Sequence, residues 1–96
     1  MAAYIVITRE KTNNPAKLEE YKKLVAPSFQ KHPATILALH GRHEVLEGPA
    51  TEELIILEFP SYEEAKAWYQ SPEYQAASEH RFQGGNYRFI LTEGKA

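Results

Sequence analysis

The stretch Glu58-Phe59-Pro60-Ser61-Tyr62-Glu63-Glu64-Ala65-Lys66-Ala67-Trp68-Tyr69-Gln70-Ser71-Pro72-Glu73-Tyr74-Gln75 decides the fold. It reads as the end of a buried strand, a capped helix, a break and a second helical start. Ser61, with Glu64 three residues later, forms a capping box. Ala65, Trp68 and Tyr69 lie at helical spacing and supply a buried face. Ser71-Pro72 ends this helix. Ser71 then caps a second one, with Pro72 at its first position, running to about His80.

Upstream, Leu54 to Phe59 is apolar except at Glu58 and predicts a strand covered on both faces. Gly48-Pro49 is a turn signal, so this strand pairs in a hairpin with the one before it. That earlier strand is expected to start at Thr35–Leu39 and to continue past Gly41 toward Val45 and Leu46. Before it, Asn14 caps a helix with Pro15 at its first position. Leu18, Tyr21, Leu24, Val25 and Phe29 form its apolar stripe, and Pro27 kinks it or ends it early. Ala3 to Thr8 is the first strand. Downstream, Gly84-Gly85-Asn86 turns the chain into the last, Tyr87 to Thr92.

The order is βαββαβ, which defines an α+β, ferredoxin-like fold: a four-stranded antiparallel sheet with its helices on one face. All 96 residues are expected to form one such domain. Tyr4 to Ile7, Leu54 to Leu57, and Tyr87, Phe89, Ile90 and Leu91 are apolar on both faces, yet two helices cover only one. The uncovered face predicts a homodimer packed through its sheets.

Composition narrows the function classes. Eleven Lys and Arg against 13 Asp and Glu give a formal charge of -2, and no dense basic run disposes the chain to nucleic acid. The apolar amino-terminal run is too short to cross a membrane and lacks a signal-peptide layout, so a cytoplasmic location is expected. The chain has no cysteine, which removes thiolate chemistry and cysteine-ligated metals.

Four blocks carry a family resemblance: Tyr4-Ile5-Val6, Leu18-Glu19-Glu20-Tyr21, Val45-Leu46-Glu47-Gly48, and the long run from Glu58 to Gln75. Together they resemble the domain-of-unknown-function family 1330, small ferredoxin-like proteins of the dimeric α/β-barrel superfamily. The resemblance implies the same fold and a dimer, and brings no general activity with it. Where that family carries glycine-rich stretches, this chain has His32-Pro33-Ala34-Thr35 and His40-Gly41-Arg42-His43.

The densest polar cluster is His40, Arg42, His43 and Glu44. On an extended strand, His40 and Arg42 would share a face with Glu44 while His43 points the other way. A histidine beside a carboxylate serves as a general base near neutral pH, and an arginine holds an anion. The competing reading is a solvated strand end with ordinary surface charges. No His-Glu-x-x-His pattern exists, so neither a metal nor a cofactor is expected. Trp68, Tyr69, Tyr74 and Tyr21 are candidate walls of a ligand cleft, Tyr74 bordering its opening, although all four also suit an aromatic core. Glu58, a carboxylate in an apolar strand, is a candidate ligand-binding residue unless it pairs with Arg88 or Arg9.

Two functions of different class remain. One is a small-molecule-binding protein, or a cofactor-independent enzyme, with a cleft between sheet and helices. The other is a non-catalytic dimer acting as an accessory or interaction module.

Overall fold

The computed structural model describes residues 1–95. Its strands are β1 (Ala3–Thr12), β2 (Thr35–Leu39), β3 (Glu53–Phe59) and β4 (Gly85–Glu93); its helices are α1 (Pro15–Val25), α2 (Tyr62–Gln70) and α3 (Pro72–Gly84). The sheet order is β2-β3-β1-β4, with every neighbouring pair antiparallel. The fold is α+β and ferredoxin-like, as the strand and helix order predicts.

The punctuation works as the residues dictate. The Asn14 side chain accepts from the Ala16 amide, and Pro15 opens α1. Pro27 lacks the amide an α-helix needs, so α1 ends at Val25 and the chain tightens into a 3-10 turn, Ala26–Phe29. Ser61 Oγ accepts from the Glu64 amide at 3.1 Å. Ser71 ends α2 and caps α3, its Oγ giving its proton to the Trp68 carbonyl and accepting from the Tyr74 amide.

Two boundaries differ from the sequence expectation. The second strand stops at Leu39 instead of running to Val45 and Leu46. His40 has φ of 55°, in the left-handed region, and this turns the chain out of the sheet into a loop that lasts to residue 52. The extended geometry expected for His40, Arg42 and His43 is therefore absent. At the other end, α3 continues past His80 to Gly84, and β4 follows without a separate turn.

The core lies between the sheet and the helices. Odd-numbered residues of the central strands face it: Ala3, Ile5 and Ile7 from β1, Leu57 and Phe59 from β3. Ala65, Trp68, Tyr74 and Ala77 close it from α2 and α3. The even-numbered set looks the other way, and the molecule is only 17 Å thick along its short axis, the depth of one sheet and one helix layer. Val45 and Pro49 of the 40–52 loop border an open depression with Thr8, Glu10 and Arg88 at one end of that second face. Leu37 and Ile90 on it stay about half exposed, at 51% and 47%.

Candidate functional site

A cleft opens between α1 with its 3-10 turn and the β1, β3 and β2 strands. Its wider part has a volume of about 300 Å³, with Ile7, Ile55 and Leu57 as floor and Val25, Ala26 and Phe29 as roof. Ile36 and Leu39 form its outer lip, and Trp68 closes the inner end. A narrower extension of about 110 Å³ continues past Tyr21 and His40 to Arg9, Glu53 and Tyr87. The cleft is thus greasy along its length and polar at one end, a pattern typical of small-molecule sites.

The apolar end is rigid. Trp68 is buried, and Phe29 stacks on it with 4.9 Å between ring centres and planes 8° apart. The Trp68 indole donates from Nε1 to Ser28 Oγ at 3.0 Å, and Ser28 in turn donates to the Val25 carbonyl. The last turn of α1 is tied in this way to the wall contributed by α2.

The polar end follows from strand register. Arg9 and Glu53 are cross-strand partners at the odd-numbered ends of β1 and β3, so both side chains face the helices. Arg9 Nη1 lies 3.7 Å from Glu53 Oε2, and Arg9 Nε donates to Glu52 Oε1 at 3.2 Å. Partial burial works against the Arg9 charge, but the Tyr87 hydroxyl and Glu53 outweigh it and raise its pKa. His40 Nδ1 meets the other oxygen of Glu53, Oε1. The left-handed backbone at His40 is what swings its ring back over the strand edge. A carboxylate that is 9% exposed thus holds a half-exposed imidazole at the cleft.

Of the residues singled out in the sequence, the structure brings His40, Trp68 and Tyr21 to the cleft. Arg42 and His43 lie on the exposed 40–52 loop, where they border a shallow surface depression with Glu44. Both His43 nitrogens meet carbonyl oxygens, Nδ1 that of Gly41 at 3.2 Å and Nε2 that of Thr51 at 3.1 Å. Two acceptors suit the doubly protonated ring, and these bonds raise the His43 pKa. Tyr74 does not border an opening: helix α3 carries it inward, where it is fully buried against Trp68 with ring centres 4.2 Å apart.

Glu58 pairs with neither arginine. Its cross-strand partner is Tyr4, on the sheet face away from the helices, and the carboxylate raises the Tyr4 pKa. Arg9 points to the opposite face. Arg88 stands opposite Thr8, four residues along β1 from Tyr4, or roughly 13 Å at strand rise. Glu58 borders a separate open depression with Pro33, Thr35 and Pro60.

The residues missed in the sequence are Glu53 and Arg9 as a cleft pair, and Arg81 behind Tyr21. Parity was the available signal for the first two. Glu53 falls in step with Ile55 and Leu57, and Arg9 with Ile5 and Ile7, so each is a charge on the core-facing register. Among the described residues, no group of three His, Asp or Glu side chains could hold a metal ion. None of the described helices is long and apolar enough to cross a membrane.

Fold and cleft together define the class: a ferredoxin-like α+β protein with an apolar cleft between sheet and helices. The family follows, since the model of the Domain of unknown function (DUF1330) family matches residues 2–95, and the chain belongs to that family. No curated protein matches the sequence. Among solved structures, a protein of unknown function from Rhodopseudomonas palustris superposes with a TM-score of 0.74 at 18% identity, over 99% of this chain and 83% of that one. A dimeric ferredoxin-like protein of unknown function from Bacteroides fragilis gives 0.64 at 13% identity, over 97% and 96%. SnoaB, a cofactor-independent oxygenase from Streptomyces nogalater, gives 0.62 at 11% identity, over 99% and 93%. At these identities the likeness is one of fold.

Proposed function

We propose that the protein binds a small, largely apolar molecule in the cleft of each subunit and works as a homodimer packed through the exposed sheet face. The observation that carries this reading is the cleft itself. Apolar side chains line about 300 Å³ beneath α1, and the narrow end holds an ionisable pair, His40 and Glu53. A filled core or a flat surface would have favoured an accessory module instead.

His40 is the side chain we assign to accepting and returning a proton of the bound molecule, with Glu53 as its positioning residue. The chemistry then needs no cofactor, and the cofactor-independent oxygenase that shares the fold is consistent with this by analogy of fold only. Sheet-to-sheet dimerisation covers Tyr4, Val6, Leu37, Ile56 and Ile90, and a standard interface of roughly 800 Å² per subunit is enough to bury them. A relative with this fold is described as dimeric.

Trp68 is the only tryptophan in the chain and lies at the cleft wall, so its fluorescence reports occupancy directly. Titration with small aromatic compounds is expected to give a saturable change that Val25→Phe, which fills the cleft, abolishes. A change that is linear in ligand, or one unaltered in Val25→Phe, would overturn the reading.

A further inference from the structure

We propose that Tyr21 is the hydrogen-bond donor that recognises the ligand, presenting its phenolic proton to a carbonyl or enolate oxygen in the cleft, with Tyr74 and Arg81 as its positioning residues. The proposal rests on the cleft being a binding site. It follows from the direction in which two buried groups, Arg81 and Tyr74, and the partly buried Tyr21 must orient their protons.

Arg81 on α3 is only 4% exposed. Among the described residues no carboxylate stands within ion-pair distance of it. Its guanidinium sits instead among aromatic rings, 4.3 Å from the centre of Phe89, 4.6 Å from Phe82 and 5.3 Å from Tyr87. Arg81 Nε lies 3.2 Å from Tyr74 Oη. A guanidinium can only donate, so Tyr74 accepts this bond. Tyr74 has no exposure of its own, and among the described residues its one other partner is Tyr21 Oη at 3.0 Å. The Tyr74 proton therefore goes to Tyr21.

Tyr21 then receives a hydrogen bond and keeps its own proton without an acceptor among the described residues. Tyr21 lines both parts of the cleft, at the junction of the apolar space and the His40–Glu53 end. A chain of bonds that starts at a buried cation polarises each hydroxyl in turn and strengthens the terminal donor. Burial also raises the Tyr21 pKa, so the phenol stays a neutral donor and does not act as a base. A free, polarised O–H selects for an oxygen acceptor and against a cation or a second donor. The surrounding walls admit a ligand about the size of one substituted ring. The predicted ligand class is a small apolar carbonyl compound, or the enolate derived from it.

The test compares acetophenone with α-methylstyrene, which has the same skeleton with the carbonyl oxygen replaced by a methylene. Dissociation constants and the amides perturbed are read by NMR titration of the 15N-labelled protein. In the native chain the ketone is expected to bind about three- to tenfold tighter than the hydrocarbon. Tyr21→Phe should erase that ratio by weakening the ketone alone. Tyr74→Phe, which keeps Tyr21 but cuts it from Arg81, should leave an intermediate ratio. A purely structural Tyr21–Tyr74 pair would alter stability but leave the ratio unchanged in both variants, and that result overturns the proposal. Equal binding of the two compounds to the native chain also overturns it while leaving the cleft reading intact. If neither compound perturbs cleft amides, the cleft reading itself falls.

Discussion

Arg9 and Glu53 stand directly opposite each other on β1 and β3, and their side chains meet on the helix-facing side with Nη1 3.7 Å from Oε2. This cross-strand pair leaves Glu53 Oε1 to hold His40, so one buried carboxylate joins the sheet register to the mouth of the cleft. Glu53→Gln keeps the volume but removes the charge that both partners face. It is expected to destabilise the fold by about 1–3 kcal/mol in urea denaturation, since Arg9 keeps Glu52 and Tyr87 as partners. It should also release His40. Loss of stability with no change in the His40 ring environment by NMR would contradict this arrangement.

The 40–52 loop carries its own pH dependence through His43. The bonds to Thr51 and Gly41, with Glu53 nearby, raise its pKa above the ordinary 6.5. A group whose pKa rises on folding stabilises the folded state fully below its unfolded value. That contribution disappears as pH rises through the folded value. The loop amides should therefore exchange faster with solvent as pH is raised beyond the intrinsic base-catalysed trend. His43→Ala should abolish that extra pH dependence while leaving the cleft unaffected. An NMR midpoint for His43 at or below 6.5 would count against the doubly bonded ring.

Ser28 is a small residue with a large role. Its hydroxyl is the acceptor for the buried Trp68 indole, and Ser28→Ala leaves that N–H without a partner. The expected cost is about 1–3 kcal/mol in chemical denaturation, with altered Trp68 fluorescence. Ser28→Thr, which keeps the hydroxyl, should recover part of the loss.

Gly84 marks where α3 passes closest to the start of α1. A Cβ there would lie 2.5 Å from Leu18 Cδ2 and 3.2 Å from the Leu18 amide nitrogen, while the Gly84 carbonyl accepts from both Asn13 and Asn14. Gly84→Ala should cost about 1–3 kcal/mol through this overlap. Adding Leu18→Ala is expected to relieve part of the clash, a coupling that a double-mutant cycle measures.

Much of the fold was legible because its signals are local. Asn14-Pro15, Ser61 with Glu64, and Ser71-Pro72 each fix a helix start through a hydrogen bond made within three residues. The end of β2 was not legible in that way. Nothing about His40 in sequence announces a left-handed backbone, and the apolar Val45-Leu46 pair suggested more strand than forms. The site suffered most from that one residue, because Arg42 and His43 follow it out of the sheet. Glu53, Arg9, Tyr21 and Arg81 converge only through long-range pairing, β1 with β3 and α1 with α3. For the three charged residues, Glu53, Arg9 and Arg81, only parity and topology give the place each takes.

The central claim is a ligand cleft in each subunit of a sheet-packed dimer, and native mass spectrometry of protein purified without added ligand tests it most directly. The predicted spectrum shows a dimer carrying a reproducible small-molecule adduct, with the adduct lost in Val25→Phe and the dimer lost in Ile90→Glu. A monomer, or an adduct that Val25→Phe retains, would contradict the account.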